Sequence, residues 1–266
     1  MSIVVEMEAS GRKAGRVCSR DYRQGTGCPL IVRSTSEDVL TANVFGILRR
    51  LRPSLWLRPM LNEAFRTRRF ATAPMANLDV GFWRPVAPPA NRATFEGNTE
   101  VDVLVRFGGK VLFVEAKYHA PLSARTKYDE QRDQVARLLD VAYQEAVATQ
   151  LFRREPYVLV IGVPDQEPAL VTRYRDAAQV REALRHHRAA PDFEEMSAVL
   201  SRRIGYVSWS SVAATLRASR EAAYRAEVPF LDDVAAYIDH KMEQARLRST
   251  RQLPLLLPPV ESCDAA

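Results

Sequence analysis

The most constraining feature of the sequence is a pair of glycines between two β-rich runs. Residues 99–107 alternate between apolar and polar side chains, residues 110–118 are rich in β-branched and aromatic side chains, and only Gly108 and Gly109 separate them. Gly-Gly between two such runs indicates a two-residue hairpin turn. Because a turn of this length fixes the register, the residues that face each other along the hairpin follow by counting outwards from the glycines.

The predicted register gathers four charged residues on one side of the hairpin. Counting places Asp102 opposite Glu115 and Glu100 opposite Lys117. Directly opposed residues share a face, as do residues two apart on a strand, so all four side chains are expected to project together. The other face is apolar at every counted position and is predicted to be the core face; it carries Val101, Val103, Val105, Leu112, Val114 and Ala116.

Two interpretations of the charged face are open. Glu-x-Lys on a strand is typical of a solvated surface, where charged and apolar residues alternate. However, residues 111–114 read Val-Leu-Phe-Val, which is apolar on both sides and indicates a central strand. Opposed carboxylates repel each other, and Mg²⁺, which prefers oxygen ligands, relieves that repulsion. Lys117, one pleat from Glu115, is placed to hold a water or a developing negative charge, so the pattern favours metal-assisted hydrolysis of a phosphodiester.

Two predicted helices bring further polar residues towards this face. One covers Ser36–Leu51, and Glu37 lies on its apolar stripe by helical spacing. A carboxylate on a core-facing stripe needs a partner, although Glu37 is equally suited to be a capping-box acid at the helix N-terminus. In the helix predicted from Lys127, Gln131 and Gln134 either face solvent or point towards the site.

The remaining patterns predict an α/β protein with a central mixed sheet flanked by helices. Further strands are expected over 78–84, 157–163 and 204–209, and further helices over 58–69, 172–188, 192–202, 210–227 and 230–246. The predicted organisation is a flexible basic N-terminal arm over 1–30, a core over 31–165, a helical extension packed on that core over 166–248, and a Pro-rich tail over 249–266.

Positive charge is concentrated in the first third of the chain. Between residues 11 and 70 there are thirteen Lys or Arg and four Asp or Glu, so this segment alone exceeds the net charge of +6 of the whole chain. Such clustering suggests a polyanionic partner. A competing explanation is an arginine-favouring codon bias, since the chain has only five lysines.

Several function classes find no support in the sequence. There is no run of about 18 apolar residues to span a membrane, and no signal-peptide pattern, so a cytoplasmic location is expected. Cys18, Cys28 and Cys263 are an odd number without a short-spaced pair, which argues against a disulfide framework or a zinc knuckle. The chain lacks a phosphate-binding glycine loop and a GxSxG nucleophile elbow. The three tryptophans lie in apolar surroundings and are interpreted as core residues.

The order helix, three strands, helix, strand, together with the acids on the hairpin, resembles the PD-(D/E)xK nuclease superfamily, the fold class of many restriction-type endonucleases. The resemblance covers residues 34–163, about half the chain. It implies a restriction-endonuclease-like αβββαβ core, with the mainly helical C-terminal region added to it. One departure from the family pattern is that Val101, rather than proline, precedes Asp102.

By this resemblance, Asp102 and Glu115 bind Mg²⁺ or Mn²⁺ together with the backbone carbonyl of Ala116, and Lys117 activates water. The family's helix acid corresponds to Glu37, and its glutamine after the strand meander corresponds to Gln134 or, with less support, to Gln131. The catalytic set implied for this chain is therefore Glu37, Asp102, Glu115, Lys117 and Gln134.

The resemblance implies a metal-dependent nuclease acting on DNA, in restriction, phage defence or repair, with a homodimer favoured if it cuts both strands. Alternatives are a catalytically inactive nucleic-acid-binding or scaffold protein that keeps the fold, and a subunit of a defence complex that docks through its C-terminal helices. For a nuclease, the basic segment would be a phosphate-gripping rim around the metal site, with contacts from Arg49, Arg50, Arg52, Arg66, Arg68 and Arg69.

Overall fold

The computed structural model describes residues 37–88, 95–118, 120–126, 130, 132–148, 154–185 and 193–251. The predicted basic arm over 1–30, Gln131 and most of the predicted Pro-rich tail lie outside these residues. The described helices are α1 Glu37–Leu48, α2 Pro53–Ala64, α3 Gln134–Tyr143, α4 Ala169–Arg173, α5 Ala177–Arg185, α6 Phe193–Ser201, α7 Trp209–Ala218 and α8 Val228–Arg251, with a π-helical turn over Gln144–Ala148 and a 3-10 turn over Ser219–Ala222.

The five described strands form one mixed sheet in the order β1-β2-β3-β4-β5. The first three are antiparallel neighbours, whereas β3, β4 and β5 run parallel. The protein is therefore a mixed α/β protein with a central sheet flanked by helices, as the order of elements predicts. The strands are β1 Asp79–Val86, β2 Thr99–Phe107, β3 Lys110–Ala116, β4 Glu155–Gly162 and β5 Ile204–Ser208.

The turn between β2 and β3 requires both of its glycines. Gly108 and Gly109 have φ angles of +46° and +78°, in the left-handed region that other residues avoid. A Cβ on Gly108 would also lie 2.1 Å from the carbonyl oxygen of Pro74. The register counted from the turn is confirmed as far as the pair Val103 and Val114.

Both faces of the sheet are buried, as expected for a sheet flanked by helices, and the predicted core face of the hairpin is confirmed except at Val101. The first core packs one face against α1, α2, α7 and α8, and the second packs the other face against α3, α5 and α6. Val103 and Leu112 belong to the first core, while Val101 joins the second core with Phe113. As the apolar run over 111–114 predicts, β3 is a central strand, because β2 and β4 flank it.

Element boundaries differ from prediction where prolines and caps act. Pro53 begins α2, five residues before the predicted start, because proline at the first helical position loses no intrahelical hydrogen bond. Strand β1 continues through Pro85, which an edge strand tolerates. Helix α3 begins at Gln134 rather than Lys127, because the Asp133 side chain caps it by accepting the Ala136 N–H at 2.8 Å.

The C-terminal region is continuous with the sheet and the first core. Strand β5 pairs with β4, and α8 contributes Leu231, Val234 and Ile238 to the core that also contains α1. Helix α8 extends to Arg251, two residues past the predicted start of the tail at residue 249. Within the described ranges, no helix is both long enough and apolar enough to cross a bilayer.

Candidate functional site

The charged residues of the hairpin meet where β2 and β3 separate. The ladder between these strands ends at Val103 and Val114, so the predicted direct pairing of Asp102 with Glu115 is wrong. Instead, Asp102 Oδ2 accepts a hydrogen bond from the Ala116 N–H at 2.9 Å. The side chain thereby takes the place of a backbone partner at the C-terminal end of β3. Glu100 is likewise not paired with Lys117; it pairs with Pro85 of β1.

Both backbone polar groups of Lys117 are fixed by neighbouring elements. Its N–H donates to the carbonyl oxygen of Ile161 in β4 at 2.7 Å, and its carbonyl oxygen accepts from the indole Nε1 of Trp209 at 2.9 Å. Trp209 is fully buried at the start of α7. Its contribution was missed by the sequence analysis, which placed it simply in the core, because nothing local links residue 209 to residue 117.

The side chain of Lys117 lies between two carboxylates. Its Nζ is 2.7 Å from Glu115 Oε1 and 3.3 Å from Glu37 Oε1. Burial lowers the pKa of Lys117, but Glu115, Glu37 and Asp102 outweigh burial and raise that pKa to about 12. The ammonium group is therefore charged at neutral pH.

Glu37 reaches this site from the first turn of α1. While Oε1 faces Lys117, Oε2 accepts the backbone N–H of Tyr118 at 2.8 Å. The structure thus provides the partner expected for a carboxylate on a core-facing helix stripe. Glu37 binds both the side chain of the lysine and the backbone that follows it.

Gln134 joins the site from the first turn of α3. Its Nε2 donates to Glu115 Oε1 at 2.6 Å, and its own Oε1 accepts from the Ser123 N–H at 3.2 Å. Glu115 is only 5% exposed and shares this oxygen between Gln134 and Lys117. Of the two glutamines considered from the sequence, Gln134 contacts the site, while Gln131 lies outside the described residues.

A buried ion cluster holds α3 in place behind Gln134. Arg132 is 2% exposed, and its guanidinium contacts Asp140 at 2.8 Å and Glu96 at 3.0 Å. Arg137 contacts Glu96 at 2.9 Å and donates to the carbonyls of Gly97 and Asn98. The cluster therefore ties α3 to the segment that leads into β2. Sequence analysis missed it because charges on a helix ordinarily indicate a solvated face.

Two hollows open on either side of the Lys117–Glu115 pair. The smaller has a volume of about 250 Å³ and is lined by Glu100, Glu115, Gln134 and Arg137, among others. The larger has a volume of about 620 Å³; Lys117 lines it, together with residues that follow β3 and β4. Glu115 therefore faces one hollow and Lys117 the other.

The six arginines expected to grip phosphate do not form a continuous rim around the acids. Arg49 and Arg50 follow the C-terminal end of α1, a twelve-residue helix and thus about 18 Å from Glu37 at its N-terminal end. Arg52 pairs with Glu227 at 2.7 Å, and its guanidinium lies 3.7 Å from the centre of the Tyr224 ring.

The other three arginines follow α2. Arg66 pairs with Glu167 at 2.8 Å, and Arg69 donates to the Tyr157 hydroxyl at 3.1 Å. Tyr157 pairs with Leu112, about 10 Å along β3 from Glu115. Arg68 is exposed.

Comparisons with known proteins give no match to any family model, curated protein or solved structure. Among the described side chains, no group of three or more His, Cys, Asp or Glu is arranged to hold a metal ion. A cation beside Glu115 would consequently depend on two carboxylates and on backbone or water oxygens.

Proposed function

We propose that this protein is a metal-dependent phosphodiesterase of the PD-(D/E)xK type that acts on DNA. The observation that carries the proposal is the position of Lys117 Nζ, 2.7 Å from Glu115 and 3.3 Å from Glu37, at the end of a central strand. A lysine held between two acids at a strand end, beside two open hollows, has substrate access that a lysine in a sealed structural ion pair lacks.

The donor set at this position fits a hard divalent cation. Asp102 and Glu115 offer carboxylate oxygens, and the Asp102 side chain already contacts the backbone of Ala116, whose carbonyl is the third candidate donor. Mg²⁺ is commonly bound through one or two carboxylates, with waters and phosphate oxygens completing its coordination. When bound, Mg²⁺ or Mn²⁺ would supply Lewis-acid polarisation of a phosphate oxygen.

The raised pKa of Lys117 defines its part in the reaction. Glu115, Glu37 and Asp102 raise the pKa of Lys117 to about 12, which favours the ammonium form of its side chain at neutral pH. In that form its role is to orient the attacking water and to stabilise negative charge that develops on the phosphate. The proton of that water then goes to another group, such as a substrate phosphate oxygen or solvent.

Glu37 and Gln134 act as positioning residues in this scheme. Glu37 fixes both Lys117 Nζ and the Tyr118 N–H, so it orients the lysine from the side opposite Glu115. Gln134 donates to Glu115 Oε1 and thereby sets the rotation of that carboxylate. Fixing the rotamers of reacting groups in this way accelerates a reaction through preorganisation.

The experiment is cleavage of plasmid DNA with Mg²⁺ or Mn²⁺ by wild type, Asp102→Ala, Glu115→Gln and Lys117→Ala. We expect each substitution to abolish cleavage. Strand β3 also provides matched controls at the end opposite Glu115. There its first residue, Lys110, forms a 4.0 Å ion pair with Glu155 of β4. Lys110→Ala and Glu155→Gln should cleave like wild type. Cleavage that survives in all three site variants would overturn the proposal.

A second candidate is a nucleic-acid-binding or scaffold protein that retains the fold without catalysis. The observation that favours it is the internal pairing of the site: Lys117 contacts two carboxylates, and Asp102 contacts a backbone N–H. Calorimetric titration with Mn²⁺ distinguishes the two candidates. Intact DNA binding without any Mn²⁺ binding would support the scaffold, whereas Mn²⁺ binding that is lost in Glu115→Gln supports the enzyme.

A further inference from the structure

The larger hollow lies directly beside the proposed catalytic lysine. It has a volume of about 620 Å³, within the range of pockets that hold small organic ligands. Its lining residues come from the segment after β3, which includes Lys117 and Tyr118, from the end of β4 and the segment that follows it, and from single positions in β5 and α8. Crevices at the carboxyl ends of parallel strands are common ligand sites in open α/β sheets.

The walls of this hollow are mainly apolar, with a few polar groups at defined places. Pro121, Leu122, Val163 and Pro168 supply apolar surface, and the exposed Gln166 supplies an amide. Apolar walls suit the faces of an aromatic ring, and an amide suits its hydrogen-bonding edge.

The hollow can take an anionic group at its Lys117 end when the proposed cation is bound. Lys117 lines the hollow, but its Nζ is paired with Glu115 at 2.7 Å and Glu37 at 3.3 Å, so a phosphate there would also depend on that cation. The one acid among its lining residues, Glu167, is paired with Arg66 at 2.8 Å and with Arg175 at 2.7 Å. The negative charge of Glu167 is therefore balanced by two arginines and does not repel an anion near Lys117. The apolar interior of the hollow suits an uncharged group.

We infer that this hollow binds an unstacked nucleobase of the strand whose phosphate lies at Lys117. The inference rests on the proposed function, which provides the phosphate. It adds a substrate class: nucleic acid with an unpaired base at the cleavage position, whether a single strand, a frayed end or a flap. A base inside an intact duplex must first leave the stack before it can enter, so we expect unpaired nucleic acid to be preferred over duplex DNA.

The test compares binding of two fluorescent single strands in Ca²⁺ instead of Mg²⁺, because Ca²⁺ also takes oxygen ligands, and a gel checks that both strands stay intact. One strand is a short oligothymidylate, and the other is its abasic counterpart with the same phosphates. Wild type should bind the base-bearing strand about tenfold more tightly, since stacking of one base on a protein surface is worth roughly 1–3 kcal/mol. Fluorescence anisotropy measures both affinities.

Two variants fill the hollow from different walls. Ala169 is exposed and lines it at the start of α4, and the half-buried Leu122 lines it in the segment after β3. Ala169→Trp and Leu122→Trp should each remove the tenfold preference while leaving binding of the abasic strand unchanged. The matched control is Ala178→Trp, at an exposed position near the start of α5 outside the hollow, which should keep the preference.

The outcomes separate failure of this inference from failure of the proposed function. If both strands bind wild type equally, or if both filled variants keep the preference, the base site is wrong although nucleic-acid binding stands. If the filled variants bind both strands more weakly by the same factor, the hollow contacts the sugar-phosphate backbone and not a base, and the base site is again overturned. If neither strand binds wild type, the proposed nucleic-acid function fails and the base site fails with it.

Discussion

Lys117 is held at four points by residues from four different parts of the chain. Ile161 and Trp209 fix its backbone, and Glu115 and Glu37 fix its ammonium group. Side chains held in this way lose little conformational freedom when they meet a substrate. Of these four contacts, the one with Glu37 is the most informative to test, because Glu37 lies in α1, outside the hairpin.

Glu37→Gln should lower activity with little effect on stability. Glutamine keeps an acceptor for the Tyr118 N–H but removes the negative charge that faces Lys117 Nζ. Since hydrogen bonds between charged groups contribute about 1.5–3 kcal/mol, we expect cleavage to fall by roughly ten- to a hundredfold. The measurement is the initial rate of plasmid cleavage, with thermal unfolding of the same sample.

The control for this substitution is Glu63→Gln. Glu63 is an exposed acid near the end of α2 and accepts a hydrogen bond from Thr215. Glu63→Gln should change neither the rate of plasmid cleavage nor the thermal stability. A Glu37→Gln protein that cleaves DNA as fast as the Glu63→Gln protein would remove Glu37 from the proposed site.

Among the elements, α7 affects the site through one hydrogen bond. The indole of Trp209 donates to the carbonyl of Lys117 at 2.9 Å. Trp209→Phe removes this donor and should destabilise the fold by about 1 kcal/mol beyond the loss of ring volume. The freed carbonyl also releases the backbone at Lys117, so activity should fall. Urea denaturation and plasmid cleavage measure the two effects.

Trp56→Phe provides the matched control. Trp56 is as buried as Trp209, but its indole nitrogen has no hydrogen-bond partner among the described residues. The same change of ring size therefore removes no hydrogen bond there. Equal loss of stability and of activity in the two variants would show that the Trp209 hydrogen bond does not support the site.

The buried ion cluster of Arg132, Glu96 and Asp140 allows a separate prediction about the free energy of unfolding. Arg132→Met leaves Glu96 and Asp140 buried with one partner fewer, and breaking a buried pair typically destabilises by about 3–5 kcal/mol. Arg185→Met, which breaks an exposed pair with Glu182, should change stability by less than about 1 kcal/mol. Urea denaturation of both variants tests this, and similar losses would contradict it.

Across the whole molecule, segments far apart in sequence pack together in the first core. Helix α1 and helix α8 share that core, and Arg52, just before α2, pairs at 2.7 Å with Glu227, just before α8. The hydrogen bond from Arg52 lowers the pKa of Glu227 to about 2. This ion pair is therefore a titratable link between the two ends of the described chain.

The pH dependence of that link has a definite sign. A carboxyl group with a lowered folded-state pKa stabilises the fold above its ordinary pKa of 4.5 and loses the effect as pH falls through about 2. Wild type should therefore exceed Glu227→Gln in thermal stability at neutral pH, with the difference vanishing between about pH 4.5 and 2. Because the pair is partly exposed to solvent, added salt should reduce the difference. A difference that persists unchanged at low pH would contradict this account.

The sequence predicted the hairpin turn and its first register pairs well because both depend on local rules. Two glycines select the turn, and the turn sets the register up to Val103 and Val114. The counted register is wrong just beyond that pair, since Asp102 contacts the Ala116 N–H instead of facing Glu115. Counting assumes that paired strands stay paired, and it cannot see where a side chain replaces a backbone partner.

Placement of the arginines shows the second limit of the sequence. Charge counting located the basic segment, but Arg52, Arg66 and Arg69 each contact a partner that lies at least 88 residues away in the chain. Such contacts depend on how helices pack on the sheet. A charge excess in a segment therefore predicts a polyanionic partner more securely than it predicts which arginines touch it.

Turn chemistry, hydrophobic pattern and helix caps, all local in sequence, determined the strands, the central position of β3 and the mixed α/β class. Only the tertiary structure decided that Glu37 and Gln134 meet Glu115 and Lys117, that Trp209 fixes the lysine backbone, and that a 620 Å³ hollow opens beside it. The physical reason is that these contacts join residues from separate elements, whose relative positions are fixed by the packing of two cores against one sheet.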